Sequence, residues 1–469
     1  MIFSLNDRLL NLWETLQTSL WFIPTVMVLG SIGLSLGALY LDQLLLEKSL
    51  TTYSWVFTGS PEAARQILST IASSIITVAA LAFSMTLVAL TLASSQFGPR
   101  ILRNFIKDTG NQIVLGTFLA TYIFCLNVLR AVKGLENNSF VPQISISLAI
   151  VFLLASIGVL IYFIDHVVST IQVNTIVADI SQELQGIICR LYPEKAAINK
   201  WPQKTPLPKF EAEPSRPEQI AVKSMNDGYL QAIDYPALVN AAVEFDTCFH
   251  VSLRPGDYII HEHALLFIDS ATNQPKTDKM EELTGAVNNG FILGSRQTPT
   301  QDVEFSINQL VEIAIRALSP GINDPFSAIT CIDHLANALA LLFRRHLPSD
   351  EHLDDRGNLR VIHRNVTAPE VIGTAFNQIR QYGRTSVPVM VHLMEALSQI
   401  TLDARTEAVR IALYQQAEMI ERGSQEAFPE EYDRSVIRKR FHLVQKAMEI
   451  SRKNHPDPSP PLPPVKEAR

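Results

Sequence analysis

The fold is decided by residues 66–107, whose sequence is QILSTIASSIITVAALAFSMTLVALTLASSQFGPRILRNFIK. No charged residue lies between Arg65 and Arg100. A helix that rises ~1.5 Å per residue would make this uncharged segment roughly 50 Å long, whereas the hydrocarbon core of a bilayer is ~30 Å thick. The stretch therefore predicts a membrane-spanning helix that tilts or extends beyond the bilayer.

This predicted helix has two different faces. At ~100° per residue, larger apolar residues such as Ile71, Ile75 and Met85 lie opposite a narrow arc of small and hydroxylated residues. A polar stripe of this kind either lines a water-filled path or packs against another helix. The candidate residues for either role are Ser69, Ser73, Thr77, Ser84, Thr91 and Ser95.

Basic residues follow the stripe. After Pro99, which stops the helix, Arg100, Arg103 and Lys107 alternate with apolar side chains at helical spacing. This pattern predicts a short basic amphipathic helix on the membrane surface, and a buried loop helix with solvated basic residues is the alternative.

Composition separates the chain into an apolar and a soluble part. The 469 residues are 47% hydrophobic and 18% charged, and the hydrophobic residues are concentrated in the first third. A net charge of -7 argues against nucleic acid as the main partner, because no part of the chain carries the basic excess that phosphates require. A membrane domain followed by a large soluble region is the expected class.

Four uncharged apolar runs are long enough to span a bilayer, and they cover about residues 21–41, 67–95, 113–129 and 141–164. An even number of spans returns the chain to its starting side, and the basic loop places that side in the cytoplasm. The four cysteines show no CxxC spacing, which fits a reducing cytosol and predicts neither disulfides nor a zinc site. Both termini are therefore expected in the cytoplasm.

Beyond the membrane we expect several further regions. The fold class is an α-helical membrane protein with four transmembrane helices, followed by a small β-barrel or sandwich domain and a mainly α-helical cytoplasmic domain. The predicted boundaries are 1–166 for the four-helix transmembrane domain, 167–191 for a helical stalk, 192–220 for a Pro-rich linker, 221–272 for the β domain, 273–453 for the helical domain and 454–469 for a disordered Pro-rich tail. Within the β domain we expect five short strands and a helix at residues 235–244. Within the helical domain we expect six helices between residues 303 and 452 and one strand at 359–363.

The stalk carries a coiled-coil seam. Apolar residues recur in alternating steps of four and three, as in the a and d positions of a heptad. Self-association and packing against the chain's own soluble region are both open, although self-association would predict a homo-oligomer. The seam consists of Val173, Val177, Ile180, Leu184, Ile187 and Leu191.

A dense turn signal at residues 316–325 is the main candidate site in the soluble region. Pro320 and Gly321 end one helix, and Asp324 with Pro325 begins the next, which is a complete structural explanation. The functional alternative is that this helix N-terminus binds an anion such as phosphate. Its candidate ligands are Arg296, Arg316, Asn323 and Asp324.

Other candidate residues are weaker. His261 and His263 would share one face of a strand and form a metal site if His250 supplied a third ligand, with a solvated hairpin as the alternative. Asp165 and His166 at the membrane boundary would exchange a proton, contact an ion or form a polar helix end. The sequence offers no GxSxG, Walker or HExxH motif whose context would support catalysis. We therefore expect no enzyme activity, cofactor or metal.

Several motifs resemble an uncharacterised bacterial family of predicted membrane proteins labelled domain of unknown function 2254. They are GSRQT at 294–298 with Gln301 and Asp302, QLVEIAIRALSPGINDP at 309–325, SSQFGPR at 94–100, GYLQAID at 228–234 and RPGD at 254–257. The resemblance implies a multi-pass protein of the bacterial inner membrane and supplies no activity. His261-Glu262-His263 replaces an expected Pro-Gly turn, so any role of these histidines is particular to this chain.

These observations favour an oligomeric channel-like or transport-like protein with a regulatory cytoplasmic region. Its expected partners are the lipid bilayer, further copies of itself and an unidentified small solute or ion. The second reading is a membrane-anchored sensor or scaffold whose soluble domains bind a ligand or partner. A third is a membrane-bound enzyme acting on a lipid or phosphorylated ligand near Arg296, Arg316 and Asp324.

Overall fold

The computed structural model forms two compact units, residues 1–176 and 177–469. It describes residues 21–45, 57, 59–97, 108–133, 140–170, 172–194, 219–269, 277–346 and 348–456. The predicted basic surface helix with Arg100, Arg103 and Lys107, most of the predicted linker (195–218) and most of the predicted tail (457–469) lie outside these residues.

The described residues of the first unit form four long helices. They are α1 (Phe22–Leu45), α2 (Pro61–Phe97), α3 (Thr109–Ala131) and α4 (Gln143–Thr170). Helix α3 packs against each of the other three, and its fully buried Val114, Phe118 and Phe124 lie in the core of the unit. At ~1.5 Å per residue, the 37 residues of α2 make it the longest of the four.

Five helices among the described residues are long and apolar enough to cross a membrane. Four of them, Phe22–Leu44, Pro61–Ser95, Thr109–Ala131 and Gln143–Ser169, coincide with the predicted spans. The fifth is Pro325–Phe343 in the second unit, and half of the residues in its apolar stretch are buried. Length and composition therefore support several membrane helices, and the count of four stays a prediction.

Helix α5 (Val173–Leu191) accounts for most of the predicted stalk, whose residues 167–170 belong to α4. Val177, Ile180 and Leu184 of the predicted seam are fully buried within the single chain. At its C-terminal end, Arg345 donates to the carbonyl oxygen of Tyr192 at 2.8 Å, and Arg190 donates to the carbonyl oxygen of Thr300 at 2.7 Å. The seam thus packs inside the chain, which is the second of the two alternatives, and it gives no support to self-association.

The described strands of the second unit form two sheets. The strands are β1 (Gln219–Lys223), β2 (Gly228–Ile233), β3 (Phe249–Val251), β4 (Tyr258–Ile259), β5 (Ala264–Asp269), β6 (Phe291–Gly294), β7 (Glu351–Leu353) and β8 (Leu359–His363). One sheet has the order β1-β5-β3-β8-β7, and the other has the order β4-β2-β6. Only the β3–β8 pair is parallel among these pairs.

The expected barrel or sandwich is not confirmed. The five strands predicted between residues 221 and 272 are present, but they are divided between the two sheets. Each sheet is completed by strands from later in the chain, because β6 pairs with β2 and β8 pairs with β3. Helix α6 (Tyr235–Glu244), which was predicted at residues 235–244, and α7 (Thr277–Asn289) contribute to the same core.

Helices make up most of the remaining chain. They are α8 (Val303–Ala317), α9 (Pro325–Phe343), α10 (Ala368–Tyr382), α11 (Val387–Asp403), α12 (Glu407–Ala427) and α13 (Glu431–Asn454). All six were predicted, with boundaries that differ by a few residues. Helix α9 packs against α8 and α11, and α11 in turn packs against α12 and α13.

Candidate functional site

The apolar face of α2 packs against the rest of the first unit. Its buried residues include Leu68, Ile71, Ile75 and Ala82, each at most 4% exposed. Ile71, Ile75 and Ala82 belong to the face that was predicted opposite the hydroxylated residues, whereas Met85 on that face is 42% exposed. The helix therefore buries the side that the sequence pattern indicated, except near Met85.

The hydroxyl stripe lies on the exposed side of the same helix. We define it as the six candidate residues Ser69, Ser73, Thr77, Ser84, Thr91 and Ser95, and all six are exposed. At 1.5 Å per residue, the stripe is about 39 Å long. The six side chains therefore lie on the side of α2 that is turned away from the buried core of the first unit.

Hydroxyl groups on this side are hydrogen-bonded to their own helix. Thr77 Oγ1 donates to the carbonyl oxygen of Ser73 at 2.8 Å, and Thr91 Oγ1 donates to the carbonyl oxygen of Leu87 at 2.8 Å. Such bonds satisfy each hydroxyl hydrogen and leave the oxygen able to accept a further bond. The end of the stripe forms a shallow pocket lined by Ser84, Leu87, Val88, Thr91, Leu92 and Ser95.

Inside the unit, by contrast, polar side chains pair across helices. Asn127 Nδ2 on α3 donates to Ser35 Oγ on α1 at 3.0 Å, and Thr121 and Ser156 share a hydrogen bond of 3.1 Å between α3 and α4. Ser31 on α1 donates to the carbonyl oxygen of Ala120 at 2.6 Å. These contacts fix the helices to one another, as buried polar groups in a membrane bundle require.

A carboxylate that the sequence analysis did not single out caps a helix from a distance. Asp42 on α1 is 6% exposed and accepts hydrogen bonds from the backbone amides of Ile144 and Ser145, at 2.9 and 3.0 Å, and from Ser145 Oγ at 2.6 Å. It therefore satisfies orphan amides at the N-terminus of α4 and complements the positive end of that helix. The sequence signal was a lone acidic residue directly after an apolar run.

His166 pairs with a different residue from the one its position suggested. Its Nε2 atom lies 2.6 Å from Asp108 Oδ2, and Asp108 also caps α3 by accepting from the Gly110 amide at 2.9 Å. A side chain at Gly110 would place a Cβ atom 2.6 Å from His166 Nε2. The pair joins the start of α3 to the end of α4, whereas Asp165 is exposed.

The predicted anion site is occupied by the chain's own carboxylate. Asp324 accepts from the amides of Phe326 and Ser327 at 3.2 Å and thereby caps α9. Arg316 donates to Glu312 at 3.2 Å, one turn earlier on α8. Asn323 adopts a left-handed conformation with φ 51°. Because these contacts complete the turn, the geometry supports its structural explanation.

Residues of the family motifs tie loops to the sheets. Gln301 bonds both backbone groups of Ile233, accepting from the amide at 3.0 Å and donating to the carbonyl at 3.2 Å. Gln297 donates to the carbonyl oxygen of Gly256 at 2.9 Å. Arg296, the other predicted anion ligand, is exposed, and its carbonyl oxygen accepts from Gln231 at 2.8 Å. The GSRQT motif therefore has a structural role here.

The RPGD motif packs against two helix N-termini. Arg254 lies 3.5 Å from Glu304 in the first turn of α8 and 3.2 Å from Glu370 in the first turn of α10. Gly256 has φ 100°, and an added Cβ would lie 2.5 Å from Oδ2 of Asp302. Burial of that carboxyl raises the pKa of Asp302 to about 7, although the Phe305 amide that it caps has the opposite effect.

The histidines of the second unit include one group that was predicted to share a strand and another group that was not predicted. His261 and His263 lie in the turn between β4 and β5, with Glu262 at φ 65°, so they do not share the face of a strand. A separate cluster is formed by Tyr235, His352 and His363, whose rings stack with centroids 4.4 to 5.1 Å apart. Burial, together with the charge of His363, lowers the pKa of His352 to about 4.

Comparison with known proteins places the chain in a family. Uncharacterised proteins of Mycobacterium bovis and Mycobacterium tuberculosis are each 30% identical over 438 residues, which cover 92% of this chain and 81% of the relative. No solved structure matches the chain. The family described as "Predicted membrane protein (DUF2254)" matches residues 17–399. The chain is therefore an integral membrane protein that belongs to the domain of unknown function 2254 family.

Proposed function

We propose that several copies of this chain assemble around the hydroxyl stripe of α2, and that the stripe lines a water-filled path through the membrane. The observation that carries this proposal is the exposure of all six stripe residues on a helix whose opposite face is buried. The protein would then be channel-like or transport-like. The path is uncharged along the stripe, which suits a small solute or ion that keeps part of its water.

The exposed side of α4 supports this assignment by contrast. A helix that faces lipid needs apolar side chains on its exposed side. Helix α4 has them, whereas the stripe of α2 presents hydroxyl groups. The exposed large apolar residues of α4 are Val151, Leu154, Ile157, Ile161, Ile164 and Val168. Helix α2 also exposes large apolar residues, including Leu81 and Val88. The hydroxyl groups that the stripe adds beside them suit water or a tightly packed helix better than lipid chains.

The proposal uses four spans, α1 to α4. Helix α9 is as apolar as a span, but it packs between α8 and α11 of the second unit and begins with an Asp324 cap, so we assign it to the core of that unit. With four spans and a basic loop inside, both termini and the second unit lie in the cytoplasm of a bacterial cell. Helix α5 then carries the chain into that unit.

Topology has a direct test. Asn358 is exposed in the β7–β8 turn, and a single cysteine there in an otherwise cysteine-free chain would be protected from an impermeant thiol reagent in intact cells. Rapid labelling in intact cells would reverse the assigned orientation. Labelling only after lysis is the expected result.

The path is tested by flux through reconstituted protein. Ser84→Leu adds an apolar side chain to the stripe, and Ser74→Leu makes the same change at an exposed position about 100° from Ser73. We expect liposomes with the parent protein and with Ser74→Leu to pass small ions or solutes, and Ser84→Leu to abolish this flux while the oligomer persists.

The alternative role of the stripe is helix packing. In that case Ser84→Leu would push neighbouring helices apart, dissociate the oligomer and lower its melting temperature. A parent protein that is monomeric in native nanodiscs and passes no common ion under any voltage or pH would contradict the proposal. The membrane-anchored sensor or scaffold would then be the better account.

A further inference from the structure

Arginines lie close together near the C-terminal end of α10, and two of them, Arg380 and Arg384, line one cavity. Arg380 lies in the last turn of α10, Arg384 follows it in the connection to α11, and Arg422 lies on α12. The guanidinium groups of Arg380 and Arg422 are close enough that the charge of Arg422 adds to burial in lowering the pKa of Arg380. The fold thus places like charges together.

These arginines lack the partners that others in the unit have. Among the residues that the structure describes, none of the three has a carboxylate within ion-pair distance, and the buried Nε atom of Arg380 has no hydrogen-bond partner. The fully buried Arg410, by comparison, lies 3.1 Å from Glu407 and also donates to Ala404 and Ser451. A buried donor without a partner costs free energy, so it points to a ligand that supplies an acceptor.

A cavity of about 460 Å³ opens beside Arg380 and Arg384. Its lining includes polar residues, such as Gln381 and Thr385, and apolar residues, such as Met390 and Phe428. One carboxylate, Glu426, also lines it. The cavity has free space next to Gly423, because a Cβ atom added there would meet no heavy atom within 4 Å.

We propose that this cavity binds a small molecule that carries a phosphate group. Two or three neighbouring guanidinium groups are matched by an anion with more than one charge, and a phosphate monoester carries about −1.5 to −2 at neutral pH, whereas a carboxylate carries one charge. The planar guanidinium fork also fits phosphate oxygens. Met390 and Phe428 would contact the organic part of the ligand.

The cavity is lined neither by residues of the family motifs nor by residues of the α2 stripe. The proposal of a phosphate site therefore does not depend on whether the stripe lines a water-filled path. Its ligand is assigned as a free, water-soluble phosphate compound. An anionic lipid headgroup offers the same chemistry, so the experiment below distinguishes the two sources.

The test is calorimetric titration of the full-length protein in phosphatidylcholine nanodiscs. The probes are inorganic pyrophosphate and adenosine 5′-monophosphate, with adenosine as the probe that lacks phosphate. Both phosphates should bind and adenosine should bind far more weakly. Arg380→Gln and Arg384→Gln, the two arginines that line the cavity, should each weaken the binding by about tenfold, which is about 1.4 kcal/mol. Arg356→Gln, at an exposed turn, is the control for loss of one positive charge.

A second pair of variants leaves every arginine in place. Gly423→Glu puts a carboxylate into the cavity and should abolish phosphate binding without lowering the melting temperature, whereas Gly423→Ala should bind like the parent protein. Absence of binding by both phosphates, or equal binding by Gly423→Glu and the parent, would overturn the proposal. In nanodiscs containing phosphatidic acid, an unchanged affinity supports a free ligand, and competition that Arg384→Gln removes identifies a lipid headgroup.

Discussion

Replacing Asp42 by alanine should strongly destabilise the first unit. The side chain accepts three hydrogen bonds at the N-terminus of α4, two of them from backbone amides. Each buried amide left without a partner costs about 1–3 kcal/mol, and the lost interaction with the helix dipole adds about 0.3–2 kcal/mol. Since Ser145 Oγ can turn to another acceptor, only these contributions are counted, and we expect a total loss of about 2–8 kcal/mol.

Two further variants separate the contributions. Asp42→Asn keeps one acceptor oxygen, so it should cost less than Asp42→Ala. Gln43→Ala changes the adjacent exposed residue and should cost less than about 0.5 kcal/mol. Ser145→Ala removes one neutral hydrogen bond and should cost about 1 kcal/mol.

The assay is reversible unfolding of the purified protein in mixed micelles with increasing dodecyl sulfate, followed by circular dichroism. Hydrogen exchange at residues 144 and 145 adds a local measurement, because these amides should exchange faster in Asp42→Ala than in the parent. An unfolding free energy for Asp42→Ala within about 0.5 kcal/mol of the parent value, with unchanged exchange at both amides, would refute the assigned cap.

Three predictions concern the second unit, and each is checked by thermal unfolding. Gly256→Ala should lower the unfolding free energy by about 2 kcal/mol, because it strains a positive φ; Gly285→Ala, which meets no neighbour, should not. The pKa of Asp302 is about 7 in the folded protein and about 3.9 in the unfolded chain. The free energy of unfolding should therefore decrease as the pH rises from about 4 to 7, and Asp302→Asn should reduce this pH dependence. The pKa of His352 is about 4 in the folded protein and about 6.5 in the unfolded chain. The free energy of unfolding should therefore decrease as the pH falls from about 6.5 to 4, and His352→Phe should reduce that decrease.

The sequence predicted the elements of this protein better than their assembly. The apolar runs, the six helices after residue 303 and the strand at 359–363 are set by local periodicity and turn residues, and the structure has them. The sheets differ, because the parallel pairing of β3 with β8 joins residues more than a hundred positions apart. No local pattern specifies such a partner, so the expected barrel or sandwich is not confirmed.

The candidate sites show the same limit. The hydroxyl stripe was readable because all its residues lie on one helix, whose period is fixed. Asp42 and Ser145, by contrast, meet across 103 positions, and Arg380 and Arg422 meet through the packing of α10 against α12. At the predicted anion site, Asp324 caps the helix N-terminus, which agrees with the structural explanation of that turn.

The most direct measurement of the central proposal is the water accessibility of α2 in the assembled protein. Single cysteines at Ser73, Ser74 and Ser84 in a cysteine-free chain would be exposed, in a native membrane, to a small, charged, water-soluble thiol reagent. The account predicts rapid reaction at positions 73 and 84 and protection at position 74. Protection of all three, or faster reaction at 74 than at 73 and 84, would show that the stripe does not line a water-filled path.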